Sequence, residues 1–131
     1  MNYDLEEARR FFAGDKYATE ATGCLIDEVG EKYARCSLAL QANHRNAVGQ
    51  VMGGVSFTLA DFAFAVAANF RQSTTVSVTS SISHLGPIKG ERLIAQTRLI
   101  KDGRRSCFYE VTVQDDLGTP VALVTITGAH L

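Results

Sequence analysis

The stretch GGVSFTLADFAFAVAA, residues 53–68, is apolar almost throughout and decides how this chain folds. It is too long for a typical strand and is rich in alanine, so it predicts a helix over about residues 53–70. Because the segment is apolar on nearly every side, we expect the helix to be buried on most sides. The run is too short, and too often interrupted by polar residues, to span a bilayer.

Asp61 is the only charged residue between Gly53 and Arg71. Burying an unpaired charge is costly, so this carboxylate needs either a partner or a chemical role. Desolvation would also raise its pKa towards the range that is useful for a general base. An ion pair between Asp61 and Arg71 is the structural alternative.

Strand-like segments flank the predicted helix on both sides. Residues 17–28 and 32–40 predict a hairpin ahead of it, preceded by a short amphipathic helix over residues 4–13. Residues 75–84, 91–101, 105–115 and 120–129 predict four strands in meander after it, with Asp102-Gly103 as a type I′ turn. The sequence therefore predicts one α+β domain over residues 1–131, a six-stranded antiparallel sheet wrapped around one long central helix.

The composition excludes several classes of protein. The 131 residues are 46% hydrophobic with a net charge of −1, which argues against disorder and against electrostatic binding of nucleic acid. Neither the three cysteines, Cys24, Cys36 and Cys107, nor the three scattered histidines have metal-ligand spacing, so we expect no metal. Residues 1–7 are acidic and lack an apolar segment, so we expect a cytoplasmic protein without a secretory signal or membrane segment.

The residues just ahead of Asp61 suit the binding of a carbonyl group. Gly53-Gly54 begins the predicted helix, where the first backbone N–H groups have no partner within the helix. These donors and the helix dipole would stabilise a developing oxyanion. Asn46 in the preceding loop can add an amide donor, although asparagine in a loop is more often a turn residue.

The distance between these groups predicts how the chain assembles. Gly53 and Asp61 are separated by eight residues of one helix, which corresponds to about 12 Å. A base must lie within about 3 Å of the proton that it takes, so one small carbonyl cannot contact both groups. Two such helices packed antiparallel about a two-fold axis would bring Asp61 of one chain opposite Gly53 of the other. This arrangement predicts an isologous dimer with two composite sites.

Residues 46–54, NAVGQVMGG, followed by FTLAD at 57–61 and AFA at 63–65, resemble the signature of hotdog-fold acyl-CoA thioesterases of the phenylacetate-degradation (PaaI-like) type. The resemblance implies the hotdog fold, hydrolysis of an acyl-CoA, and a homodimer or dimer of dimers. It implies no cofactor, since coenzyme A is part of the substrate. It also implies roles for four residues: Asp61 as general base or nucleophile, Gly53 N–H and Asn46 as carbonyl donors from the partner subunit, and Ser77 as the residue that helps to place water.

The sequence departs from this family pattern at Met52, where the family usually has histidine. The change removes a polar group at the helix entrance but leaves the backbone donor in place. It makes a non-catalytic acyl-CoA-binding or sensor protein on the same fold the alternative function. A hotdog dehydratase would require a histidine acting with an acid, and nothing assigns that role to His44.

Substrate contacts are expected at the helix entrance, along the helix and in a basic turn, at Met52, Gly54, Leu59, Phe62, Arg104 and Arg105. Core packing explains the two apolar helix residues equally well. The guanidinium groups of the two arginines suit the phosphates of coenzyme A, whereas the default interpretation is a solvated hairpin tip. His84 and His130 lie near predicted strand ends and are expected to have structural roles.

Overall fold

The computed structural model describes residues 4–131, which contain a six-stranded antiparallel sheet with the order β1-β2-β4-β5-β6-β3. The strands are β1 (Leu25–Gly30), β2 (Tyr33–Ala39), β3 (Thr75–His84), β4 (Arg92–Asp102), β5 (Ser106–Asp115) and β6 (Pro120–His130). The α-helices are α1 (Leu5–Phe12) and α2 (Gly53–Asn69). The predicted α+β fold is confirmed. The prediction that the chain has no secretory signal rests on residues 1–7. Residues 1–3 of this segment lie outside the described part of the chain.

Helix α2 crosses the sheet and packs against all six strands. Leu59 and Val66 are fully buried, and small side chains such as Ala60, Ala63 and Ala67 let the helix approach the sheet closely. The inward faces of the strands alternate with outward polar residues, as on β5, where Tyr109, Val111 and Val113 are buried. The long apolar segment therefore forms the central helix that its composition predicts.

Two local predictions are wrong. Residues 17–21 form a π-helical turn, closed by the Thr22 N–H donating to the Tyr17 carbonyl, and the first strand begins only at Leu25. The Asp102-Gly103 turn is not type I′, because neither residue has a positive φ. The loop is longer, and the Gly103 N–H donates to the Ser106 carbonyl at 2.7 Å.

The last four strands do not form the predicted meander. β3 pairs only with β6, whereas β4 lies between β2 and β5. The chain therefore crosses from one edge of the sheet to its middle between His84 and Arg92. This crossing leaves β3 as an edge strand on which Val76 and Val78 are 42% and 63% exposed. An edge strand of this length, with two exposed valines, is a template for pairing with another chain.

The connection from β3 to β4 is fixed by Asp115, at the end of β5. This side chain is fully buried and accepts hydrogen bonds from the backbone N–H groups of Lys89 and Gly90, both at 2.9 Å. It also accepts from the N–H groups of Leu117 and Thr119 at 3.0 and 2.8 Å. Burial alone would raise the pKa of Asp115, but the backbone donors of Lys89, Thr119 and Gly90 hold it well below its usual value.

Candidate active site

The N-terminus of α2 opens into a cavity of about 820 Å³. Met52 is the N-cap residue and forms no side-chain capping bond. Within residues 4–131, no acceptor is bonded to the Gly53 N–H, which is one of the donors that a helix start leaves unpaired. The lining includes Asn46, Met52, Gly53, Ser56 and His84. The predicted carbonyl-binding residues Asn46 and Gly53 therefore border the same cavity as His84.

Asn46 combines a structural function with a free donor. Its side-chain Oδ1 accepts hydrogen bonds from the Val48 and Gln50 N–H groups, at 3.1 and 3.0 Å, and so closes the loop. Within the described residues its Nδ2 forms no hydrogen bond, and the residue is exposed in the cavity wall. The loop-turn interpretation of Asn46 and its role as an amide donor are therefore compatible.

Asp61 lies on a different part of α2, in a separate cleft of about 290 Å³. The cleft is lined by Asp61, Thr58 and Phe62 from α2 and by residues around the π-helical turn, including Asp15 and Tyr17. Burial raises the pKa of Asp61, and the nearby negative charge of Asp15 raises it further. Partial burial also raises the pKa of Asp15. The cleft thus holds two carboxyl groups, each with a pKa above its ordinary value.

Asp61 is not part of the ion pair that offered the structural alternative. The Arg71 guanidinium donates to both carboxylate oxygens of Glu7 at 3.0 Å. Within residues 4–131, no basic group lies within 4.0 Å of the Asp61 carboxylate. Lys16 lines the same cleft, but its Nζ is paired with Glu20 at 2.9 Å. A half-buried carboxylate without an ion pair fits a chemical role better than a structural one.

The structure places the other predicted contact residues in different surroundings. Gly54 and Met52 border a third cavity, of about 210 Å³, and Phe62 borders the Asp61 cleft. Leu59 is fully buried in the core and lines none of these three cavities, so it packs the helix against the sheet. Ser77 is exposed on the β3 edge, outside all three linings.

Arg104 and Arg105 lie in the β4–β5 turn, which is at the opposite end of β4 from the large cavity. Both are exposed. Within one chain the turn is separated from Gly90, at the cavity rim, by the whole length of β4, which is about 30 Å for eleven residues. Arg104 and Arg105 therefore lie far from the rim of the same chain's cavity and do not line it.

Two of the histidines have structural surroundings. His44 is buried, and its Nδ1 accepts from the Gln41 N–H, so the proton is on Nε2, which donates to the Thr22 carbonyl at 2.8 Å. His130 is bonded to Asp102 and to Thr75, each at 2.7 Å. Asp102, Cys107 and His130 bring possible metal ligands within 4.8 Å of one another. Lys32 also forms an ion pair with Asp102. The cluster of Asp102, Cys107 and His130 therefore connects the ends of neighbouring strands.

The cysteines are not activated nucleophiles. All three are buried, and burial raises the pKa of the Cys24 thiol to about 12. The pKa of Cys36 and of Cys107 is raised by the same cause. A thiol with a raised pKa is protonated at neutral pH and reacts poorly as a nucleophile.

Asp15 and His84 are the site residues that the sequence does not reveal. Asp15 lies in the segment after α1, 46 positions before Asp61, and no spacing rule connects the two. His84 ends the edge strand β3, and only the sheet crossing places it at the start of α2. A partial signal exists for His84, since the Gly-Pro dipeptide two residues later marks where β3 must stop.

A six-stranded antiparallel sheet wrapped around one long apolar helix is the hotdog architecture, which the comparisons with known proteins assign to the thioesterases. The family model described as the thioesterase superfamily matches residues 48–122, and the chain belongs to this family. The matched segment contains all of α2 and the strands β3, β4 and β5. Within residues 4–131, no helix has both the length and the apolar character needed to cross a membrane.

Relatives confirm the PaaI-like branch. The chain is 28% identical to the acyl-coenzyme A thioesterase PaaI of Escherichia coli over 119 residues, which are 90% of this chain and 84% of that protein. The solved structure of the E. coli PaaI protein matches with a TM-score of 0.84 at 25% identity, covering 98% of this chain and 96% of that one. The phenylacetic acid degradation protein PaaI of Thermus thermophilus matches with a TM-score of 0.80 at 30% identity, covering 86% and 97%.

Proposed function

We propose that this protein hydrolyses an acyl-CoA thioester to the free acid and coenzyme A. The observation that carries the proposal is the unpartnered Gly53 N–H at the start of a 17-residue helix, facing a cavity of about 820 Å³. The Nδ2 group of Asn46 borders the same cavity. These donors suit the oxygen of a carbonyl that becomes an oxyanion as water attacks it.

The site is composite and requires a dimer. Gly53 and Asp61 line separate cavities of one chain, as their spacing along α2 requires. The exposed β3 edge supplies the surface for a second copy, which would cover Val76 and Val78. In this arrangement Asp61 of one chain faces the cavity of the other across the two-fold axis. A dimer of dimers would use a further surface of the sheet.

The same two-fold arrangement gives Arg104 and Arg105 a role in trans. Antiparallel pairing of two β3 edges brings the Thr75 end of one strand to the His84 end of the other. Within each chain Thr75 pairs with His130, whose N–H donates to the Arg105 carbonyl at 2.9 Å. The partner's Arg105 therefore approaches the cavity mouth, where guanidinium groups suit the phosphates of coenzyme A.

The proposed reaction uses water and no cofactor. Asp61 takes a proton from water as the oxygen attacks the thioester carbon, and the C–S bond then breaks as the carbonyl re-forms. The departing thiolate of coenzyme A receives the proton, and the acid leaves with the oxygen from water. Attack by the Asp61 carboxylate itself, through an anhydride that water hydrolyses, uses the same residues. Ser77 on the neighbouring β3 edge would help to place the water.

The three free cysteines suit a cytoplasmic location.

A panel of acyl-CoAs with fatty and aryl-acetyl groups tests the proposal. A thiol reagent would report free coenzyme A, and mass spectrometry would identify the acid. We expect turnover of at least one class of acyl-CoA by the wild-type protein. If calorimetry shows that acyl-CoA binds but no thiol is released across the panel, hydrolysis is contradicted and the sensor function is supported. The apolar Met52 at the helix entrance is the residue that favours this alternative.

A heterodimer of two inactive variants should recover activity. Asp61→Asn removes the base, and Asn46→Asp removes the amide donor while keeping the oxygen that closes the loop. Each heterodimer would have one composite site with both native residues, so we expect about half of the wild-type activity per dimer. Co-expression with two affinity tags isolates the heterodimer for steady-state assay.

The controls for this experiment are the two homodimers, which should both be inactive. A heterodimer with no activity above theirs would show that each site lies within one chain. An active monomer by analytical ultracentrifugation would have the same consequence.

Replacing Asp15 by asparagine should move the acid limb of the pH–rate profile to lower pH. The negative charge of Asp15 raises the pKa of Asp61, so its removal favours the ionised form of Asp61. The base would then remain deprotonated at a lower pH. The measurement is kcat/KM against pH for both proteins.

The matched control is Glu31→Gln, which removes an exposed carboxylate in the β1–β2 turn and should leave the limb in place. A limb that shifts equally in both variants would mean that net charge, and not the Asp15–Asp61 pair, sets the profile. A limb that moves to higher pH would contradict the assignment of Asp61 as the base.

A further inference from the structure

The imidazole of His84 lies directly against Gly53 at the start of α2. A Cβ atom built on Gly53 would be 2.6 Å from Cε1 and 2.8 Å from Nε2 of the His84 ring, so the ring occupies the space that a side chain would need. Adding a carbon–carbon bond of about 1.5 Å places Nε2 at most about 4.3 Å from the Gly53 Cα atom. Only glycine at position 53 allows this approach.

The ring is available to a ligand. His84 is exposed and borders the large cavity together with Asn46 and Gly53. Within residues 4–131, neither of its ring nitrogens forms a hydrogen bond or an ion pair, in contrast to His44 and His130. The backbone that carries the ring is held in the sheet, because His84 pairs with Ala122 on β6 and the next residue, Leu85, donates to the Val121 carbonyl at 2.8 Å.

The Gly53 N–H and the His84 ring can converge on one oxygen atom. A carbonyl oxygen has two lone pairs, and the oxyanion that forms from it has three, so more than one donor can bond to it. Met52, at the same helix entrance, contributes a thioether and no donor, whereas Asn46, within the described part of the chain, keeps its Nδ2 free because the loop engages only its Oδ1. The imidazole can therefore act as a further donor beside the backbone N–H and the Asn46 amide, since it borders the same cavity.

We propose that His84 is a further catalytic residue, whose Nε2–H donates a hydrogen bond to the thioester carbonyl oxygen bound at Gly53. This inference rests on the proposed thioesterase function and deepens it, since it names a second side chain that stabilises the oxyanion. The partner's Asp61 would act on water from the opposite side of the carbonyl, so the base and the donor come from different chains.

His84→Phe tests the proposal by retaining an aromatic ring without its donors. We expect kcat to fall by about 10²-fold, the usual cost of one oxyanion donor, with little change in KM. His84→Gln, which restores an N–H, should recover part of the loss. Ser83→Ala, one residue earlier on β3, is the matched control and should have wild-type kcat. Wild-type kcat in His84→Phe would overturn the proposal.

Binding provides a readout that does not depend on turnover. A ketone analogue of acyl-CoA, with a methylene in place of the thioester sulfur, keeps the carbonyl, whereas a thioether analogue lacks it. We expect the wild-type protein to bind the ketone more tightly and His84→Phe to lose that preference. An equal preference in both proteins, or none in the wild type, would overturn the role of His84. If the wild-type protein shows no turnover, the proposed hydrolysis is refuted. The comparison of ketone and thioether binding would still test the role of His84.

The contact between the ring and Gly53 has its own test. Gly53→Ala removes a glycine from the first turn of α2, which favours the helix, but in the wild-type protein the added methyl group meets the His84 ring. Relative to its own parent, the substitution should therefore give a higher melting temperature in a His84→Ala background, where the space is open, than in the wild type. Equal effects of Gly53→Ala in both backgrounds would contradict the contact.

Discussion

Replacing Asp61 by asparagine is expected to lower kcat/KM for acyl-CoA hydrolysis by about 10²–10⁴-fold, the contribution of a positioned general base. The amide has the same shape as the carboxyl group but cannot take a proton from water. The half-buried side chain has no basic partner in residues 4–131, so no ion pair is lost in the variant. Steady-state kinetics with the best acyl-CoA of the panel provide the measurement.

The same substitution should leave the fold intact or make it more stable. The pKa of Asp61 is raised by burial and by Asp15, so the folded protein binds this proton more tightly than the unfolded chain does. Above both pKa values the ionised carboxylate therefore reduces the free energy of unfolding, and this penalty disappears as the pH falls through the folded-state pKa. The melting temperature of Asp61→Asn at neutral pH should thus equal or exceed that of the wild type.

These two measurements separate catalysis from structure. A fall in both activity and melting temperature would indicate that Asp61 holds the fold together. Wild-type kcat/KM in Asp61→Asn would remove the base from the proposal. Glu31→Gln again serves as the control, since it changes the net charge equally at an exposed turn.

Asp115→Ala should produce the largest loss of stability. The substitution leaves four backbone N–H groups, those of Lys89, Gly90, Leu117 and Thr119, without their buried acceptor. Unsatisfied buried donors each cost about 1–3 kcal/mol, and partial access of water to the turns reduces the sum, so we expect about 3–5 kcal/mol. Urea denaturation measures the free energy of unfolding.

Asp116→Ala is the matched control for Asp115→Ala. Asp116 also accepts from two backbone N–H groups, of Glu91 and Arg92, but it is exposed, so water can replace it and the loss should be smaller. If the two variants lose the same free energy of unfolding, burial does not explain the contribution of the Asp115 hydrogen bonds to stability.

Acid should weaken the wild-type protein through Asp115. Its pKa is held below the ordinary value by the backbone donors, so its contribution to stability is fully present above the unfolded-state pKa of about 4 and is lost as the pH falls further. The Asp115→Ala variant should therefore lose less stability than the wild type between neutral pH and acid. In this variant the Lys89–Gly90 turn loses its hydrogen bonds to the Asp115 carboxylate, so the rim of the large cavity at Gly90 should become mobile.

The sequence predicts the elements of this fold well because periodicity and composition are local properties. The apolar run from Gly53 forms the buried helix that its composition predicts, and the alternating segment 32–40 contains strand β2, on which Ala34, Cys36 and Leu38 are buried. The order of the strands is not local. The alternation of β3 shows that it is a strand, but nothing in that segment shows that its neighbour is β6.

By itself the sequence determined the helix, its single carboxylate, the glycines at its start and, through these residues, the family. Only the tertiary structure decided which groups share a cavity. It placed His84 against Gly53, Asp15 beside Asp61, and Arg71 on Glu7. The physical reason is that periodicity and spacing report contacts within one element, whereas a cavity is bounded by elements that packing brings together from distant parts of the chain.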